Sequence, residues 1–230
     1  MKKTFEYDNL IGRKGGKYLR LGAKVHRGIR SVQQQIPVYA HHWRLANQKE
    51  YTLDKPLWVV LGDSMAQGIG ASTHDRGWVG ILREALRRNG QDYRLLNLSI
   101  SGARIADVLE RQLPALHALH EQPALITVMI GSNDLVRKKY RRNALENFDT
   151  LLEHLPEGSV VANLLGNHGV PLAMDMRLQR AVQDRHLVLA DLRTHAPASW
   201  RKLVSEDYFH PNETGYAVIS RAFERALGLQ

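Results

Sequence analysis

Apolar positions along the chain fall into two alternating kinds of run. Residues 57–61, 93–100, 124–130, 160–165 and 187–190 are short and nearly continuously apolar, as expected of strands buried on both faces. Helix-period stripes lie between them. Trp78, Ile81, Leu82, Ala85 and Leu86 form one, stopped by Asn89-Gly90. Ile105, Val108 and Leu109 begin another after Gly102, and Leu145, Phe148, Leu151, Leu152 and Leu155 mark a third. Tyr216, Ile219, Phe223 and Leu227 predict a last helix. Such alternation implies right-handed crossovers and a five-stranded parallel sheet covered on both faces. Ligands of such sheets bind beyond the carboxyl ends of the strands. Three predicted strands end in polar, turn-rich clusters: Gly62-Asp63-Ser64, Ser99-Ile100-Ser101-Gly102 and Gly131-Ser132-Asn133-Asp134. All three are expected on one rim.

The pattern changes near residue 55. Upstream there is no strand-like run, and Tyr18, Leu21, Val25, Ile29, Val32 and Ile36 recur at helical spacing. Gly15, Gly16 and Gly22 weaken the first turns of this helix, and Pro37 is expected to end or kink it. The chain therefore divides into a mainly helical extension, 1–55, and an α/β domain, 56–230.

Charge sharpens that division. The formal net charge of +9 is concentrated in residues 1–55, which carry twelve Lys/Arg against four Asp/Glu; the remainder has twenty against nineteen. A basic arm favours anionic partners. Two readings of residues 16–36 follow: the stripe packs on the α/β domain or a second subunit, or the helix lies on an anionic membrane as a peripheral contact. No aromatic–basic platform suggests nucleic acid, and none is expected as a partner. With no cysteine in the chain, disulfides, thiolate metal sites and cysteine nucleophiles are excluded. No apolar run approaches the ~20 residues of a membrane span. The first ten residues do not read as a secretory signal, so a chain starting at its natural N-terminus is expected in the cytoplasm or peripheral at the membrane.

All three polar clusters carry candidate chemistry, and a fourth motif joins them. Ser64 directly follows a buried strand, where a tight turn can present its hydroxyl and its own amide to a reacting oxygen. A serine hydroxyl needs a base, and an imidazole, whose unperturbed pKa is ~6.5, suits that role near neutrality. Asp207-Tyr208-Phe209-His210-Pro211 precedes the last helix and supplies both an imidazole and, three residues earlier, a carboxylate able to orient it. Gly102 and the Asn133 side chain are candidate donors, with the Ser64 amide, to an oxyanion. His41-His42, and His117 with His120, read as surface histidines rather than metal ligands. The basic run Arg137-Lys138-Lys139-Tyr140-Arg141-Arg142 reads as a solvated helix start.

These blocks together resemble the SGNH hydrolase superfamily, the GDSL-type esterases and lipases. Ser64 stands in Gly-Asp-Ser-Met, Gly102 in Ser-Ile-Ser-Gly-Ala, Asn133 in Gly-Ser-Asn-Asp, and His210 in Asp-Tyr-Phe-His-Pro-Asn-Glu-Thr-Gly-Tyr. Methionine replaces the leucine of the name motif, and the basic N-terminal segment lies outside the resemblance. The resemblance implies a flavodoxin-like three-layer α/β/α sandwich and a metal-free, cofactor-free serine esterase acting on a small-molecule or lipid acyl ester. Ser64 would be nucleophile, His210 base and then acid, and Asp207 its orienter. The Ser64 and Gly102 amides and the Asn133 side chain would form the oxyanion hole. Asp63 and Asp134 are expected to brace the two loops. Met65, Asn167, His168 and Tyr208, beside these motifs or on the same rim, are candidate substrate contacts. Acyl transfer by the same residues and a membrane-associated binding protein with a vestigial core are the alternatives.

Overall fold

The computed structural model describes residues 5–10, 12, 26–166 and 168–229. Helix α1 (Arg27–Glu50) leads into β1 (Leu57–Gly62), and α2 (Trp78–Arg88) follows. After β2 (Arg94–Asn97) the chain makes α3 (Ile105–Asp107), a π-helical turn (Val108–Gln112) and α4 (Leu113–His117) without a break. Next come β3 (Leu125–Met129), α5 (Ser132–Leu135), α6 (Lys138–Arg141) and α7 (Ala144–His154). Strand β4 (Val160–Ala162), α8 (Gly169–Asp184), β5 (Val188–Ala190) and α9 (Glu213–Ala226) complete the fold.

All five strands are parallel, in the order β2-β1-β3-β4-β5. Alternate strand residues feed two cores. Leu57, Val59 and Leu61 face one with Val108, Phe148 and Leu178; Trp58 and Val60 face the other with Trp78, Leu82 and Phe223. Two-sided burial explains why the strands read as apolar runs without alternation. Strand β2 is shorter than its apolar run, yet the pairing with β1 continues: Leu98 N donates to Val60 O at 2.8 Å and Ile100 N to Gly62 O at 3.2 Å.

Pro37, expected to end or kink the helix, does not end it: α1 continues to Glu50. Pro37 is on the exposed side, where water can serve backbone that proline leaves without its amide partner. The buried face runs on through Tyr39, Ala40, Trp43, Asn47 and Glu50. Within the described part of the predicted stripe, Val32 and Ile36 pack with Tyr39 and Ile69; Tyr18, Leu21 and Val25 lie outside the described residues. The polar end of this face covers the outer edge of β2. Asn97 N donates to Asn47 Oδ1 at 2.8 Å and Leu95 N to Glu50 Oε2 at 3.2 Å, while Asn47 Nδ2 donates to Asn97 O at 2.9 Å. Asn9 Nδ2 adds bonds to Asn97 O at 2.8 Å and Ser99 O at 2.9 Å. Side chains thus satisfy an edge that would otherwise present open donors and acceptors. Among the described residues no helix is long and apolar enough to cross a membrane.

Candidate active site

The sheet order reverses at β1, so the segments leaving β1, β2 and β3 converge at one end of the sheet. Ser64 follows β1 by two residues. Its Oγ lies 2.9 Å from His210 Nε2, and His210 Nδ1 lies 2.6 Å from Asp207 Oδ2. Residues 146 positions apart in the chain are therefore in hydrogen-bond contact. Ser64 sits on a turn, as its sequence context suggested, but is only 4% exposed, with its hydroxyl against His210 Nε2.

The Asp207 carboxylate is tightly held. Oδ1 accepts from Ser205 Oγ at 2.9 Å and from the Phe209 and His210 amides, each at 3.0 Å. Burial alone would raise its pKa, but the His210 hydrogen bond and charge and the two amides outweigh it and hold the group well below the carboxylate range. Asp207 thus stays ionised and fixes the imidazole with a proton on Nδ1, leaving Nε2 to accept from Ser64.

Of the oxyanion candidates, neither the Ser64 nor the Gly102 amide donates a hydrogen bond to any described residue. Asn133 differs. Its Nδ2 donates to Ala103 O at 2.9 Å and to Asp63 Oδ2 at 3.2 Å, so both amide protons are engaged. Asp63 ties the loops together as expected. It accepts from Met65 N at 2.9 Å and Ser132 Oγ at 2.7 Å, and its burial pushes its pKa up against these bonds. Asp134 makes the second tie, accepting from Ile105 N at 3.1 Å; burial raises its pKa to about 6.

The sequence reading missed Gln112. The π-helical turn after Asp107 aims its fully buried side chain at the last residue of β1. Gln112 Oε1 accepts from Gly62 N and Nε2 donates to Gly62 O, both at 2.8 Å. The backbone two residues before Ser64 is thereby pinned from the neighbouring helix. An unbroken α-helical periodicity through Ile105, Val108 and Leu109 gives no sign of such a turn.

A cavity of about 430 Å³ is lined by Asp63 and Met65, which flank Ser64, and by Phe209 and Pro211, which flank His210, with Ile130, Leu135, Leu164 and Trp200 among the other walls; Ser64 and His210 themselves do not line it. Of the candidate substrate contacts, Met65 lines it. His168 caps α8 and is exposed, and Tyr208 is 76% exposed with φ +58°; neither is part of the wall. Asn167 lies outside the described residues. Leu165, from the same rim segment, does line the cavity. The basic run forms α6, with Lys138 and Lys139 exposed and the Arg104 guanidinium 4.4 Å above the Tyr140 ring. His42 stacks on His74 at 4.8 Å, and among the described residues no three His, Asp or Glu side chains are grouped to hold a metal.

Esterase TesA of Pseudomonas aeruginosa is 37% identical over 108 residues, 47% of this chain and 52% of the relative. An arylesterase of Vibrio mimicus is 38% identical over 79 residues, 34% of this chain and 38% of the relative. These matches span about half or less of the relatives' own length. The crystal structure of TesA superposes with a TM-score of 0.59 at 24% identity, over 74% of this chain and 97% of that one. Axe2, an acetylxylan esterase from Geobacillus stearothermophilus, gives 0.58 at 20% identity, over 76% and 95%. Both show a shared fold. The profile of the GDSL-like Lipase/Acylhydrolase family matches residues 60–218. That span runs from the strand that delivers Ser64 to the helix that follows His210, and the chain belongs to this family.

Proposed function

We propose that the protein is a serine esterase that hydrolyses carboxylic acyl esters through an acyl-enzyme on Ser64. The observation that carries this reading is the continuous Ser64–His210–Asp207 hydrogen-bond chain at 2.9 and 2.6 Å. Its setting beside an apolar cavity, and the esterase names of the relatives, support it.

In this reading Ser64 Oγ attacks the ester carbonyl carbon while His210 Nε2 takes the hydroxyl proton. The carbonyl oxygen becomes an oxyanion and accepts from the Ser64 and Gly102 amides, which have no other described acceptor. Asn133 joins them by giving up a bond; its 3.2 Å contact with Asp63 is the longer of the two, and Asp63 keeps Ser132 and Met65 N. Collapse breaks the bond to the leaving alcohol, which takes the proton from His210. A water then attacks the acyl carbon, His210 again taking a proton, and the carboxylic acid leaves as Ser64 regains its hydrogen. The acyl chain occupies the cavity walled by Met65, Ile130 and Leu164.

The test is hydrolysis of p-nitrophenyl esters of graded acyl length, with Ser64→Ala as control. Turnover that depends on Ser64 and improves beyond the acetyl ester supports the reading. Ser64→Ala with full activity overturns it.

A further inference from the structure

The matched family region begins at residue 60, yet helix α1, upstream of it, reaches the active site's acid–base turn at two points, once through Gly70 and once directly. The first lies under His210. Gly70, in the loop after Ser64, has φ +101°, and a Cβ there would stand 2.5 Å from Pro211 O, 2.9 Å from His210 Cβ and 3.1 Å from Ser205 Oγ. The bare backbone of Gly70 is therefore the floor on which His210 and the Ser205 support of Asp207 rest. Gln35 of α1 holds that floor from behind: Gly70 N donates to Gln35 Oε1 at 2.8 Å, and Gln35 Nε2 donates to Ala71 O at 3.0 Å. Tyr39 OH donates to the same Ala71 carbonyl at 2.8 Å.

The second point is one residue before Asp207. Gly28 packs so closely on Glu206 that a Cβ would stand 2.5 Å from its carbonyl oxygen and 2.6 Å from its Cβ. His26, which caps α1 by accepting from Ile29 N, sets its ring edge-on to Tyr208 at 5.7 Å. Gly28, Val32, Gln35 and Tyr39 recur at four-, three- and four-residue steps, one face of the helix. Gly28 and Gln35 are seven residues apart, about 10 Å along the axis; Gly28 meets the turn directly at Glu206, and Gln35 reaches its other end through Gly70.

We propose that α1 is a positioning element for the reaction, with Gln35 a positioning residue that sets the His210 imidazole over Ser64 through Gly70. The chemical role of that alignment rests on the esterase reading; the alignment does not. A general base displaced by a fraction of an ångström loses its proton-transfer geometry, and misplacement by about 1 Å can cost ~10²-fold in rate. The region that supplies the chemistry thus depends for its geometry on a helix outside it.

The experiment uses the full chain and Gln35→Met, which keeps the side chain's length and removes both hydrogen bonds, beside Gln35→Glu, which keeps the acceptor for Gly70 N. Three readouts are taken: kcat and KM on a water-soluble p-nitrophenyl ester, melting temperature, and the downfield proton NMR signal of the His210 Nδ1–H···Asp207 bond, assigned by its loss in His210→Gln. Gln35→Met is expected to lower kcat by about tenfold or more with KM within about twofold, and to broaden or shift the His210 signal. Gln35→Glu should recover part of both. Gly28→Ala, which presses Glu206 from the other end, should also lower kcat and move the NMR signal, and it serves if Gln35→Met fails to fold. A variant that melts lower but keeps the wild-type kcat and the His210 signal overturns the proposal, because the contact would then be packing alone. If the wild type hydrolyses no ester, the NMR signal still decides the alignment, and the esterase reading alone has failed.

Discussion

Gln112 offers a severe test of how the nucleophile turn is built. Gln112→Met preserves length and volume closely, so the cavity contribution is small and the polar contacts are isolated. In the variant the Gly62 N–H loses its 2.8 Å acceptor inside a fully buried environment. The Gly62 carbonyl loses one donor but keeps Ile100 N at 3.2 Å. A buried donor left unmatched costs about 1–3 kcal/mol, and the loss of one of two bonds at a carbonyl adds about 0.5–1.5. The expected destabilisation is therefore about 3 kcal/mol. For a chain of this size that lowers the melting temperature by roughly 6–12 °C. Differential scanning fluorimetry with urea unfolding at one pH measures it, and ester turnover of the folded protein is read in parallel. Because Gly62 is two residues before Ser64, turnover should fall as well. A melting temperature within about 1 °C of wild type, with unchanged turnover, would refute the claim that the π-helical turn pins this strand end.

Two further variants probe the loops around the oxyanion site. Asn133→Ala should lower kcat by roughly 10²–10³-fold with a modest effect on KM, as expected of an oxyanion donor; a loss below about threefold removes Asn133 from that role. Asp134 gives a pH-dependent stability effect. Its folded pKa of about 6 lies above the usual carboxylate value, so the folded state holds the proton more strongly than the unfolded one. Stability from this group is fully present below pH ~4 and is lost as pH rises through about 6. Asp134→Asn keeps an acceptor for Ile105 N and removes the penalty. Relative to wild type it should therefore gain about 2 kcal/mol more at pH 8 than at pH 4.5, measured by urea midpoints. An equal difference at both pH values would show that Asp134 is not held protonated by burial.

The sheet and most of the candidate constellation were legible in the sequence for a physical reason. Strands buried on both faces are mostly apolar, and the turn-rich clusters that follow them, with Ser64, Gly102 and Asn133, stand out against that background. The spacing of Asp207 and His210 is legible because both sit on one turn. Features built from side-chain-to-backbone bonds were hidden, because they impose no periodicity. Gln112 reads as one more polar helix residue. Asn47 and Glu50, which close the β2 edge, lie beyond Pro37, which was expected to end or kink the helix, so the stripe was followed only to Ile36 and not on to Tyr39 and Trp43. The burial of Ser64 was equally hidden, since it depends on His210 arriving from 146 positions away.

The most direct test of the central claim is to identify the residue that a fluorophosphonate labels. After reaction of the native protein, intact mass and peptide mapping should show one adduct, on Ser64. Labelling should disappear in Ser64→Ala and slow markedly in His210→Ala, because the aligned imidazole activates the hydroxyl. An adduct on another serine, or stoichiometric labelling at an unchanged rate without His210, would contradict the account.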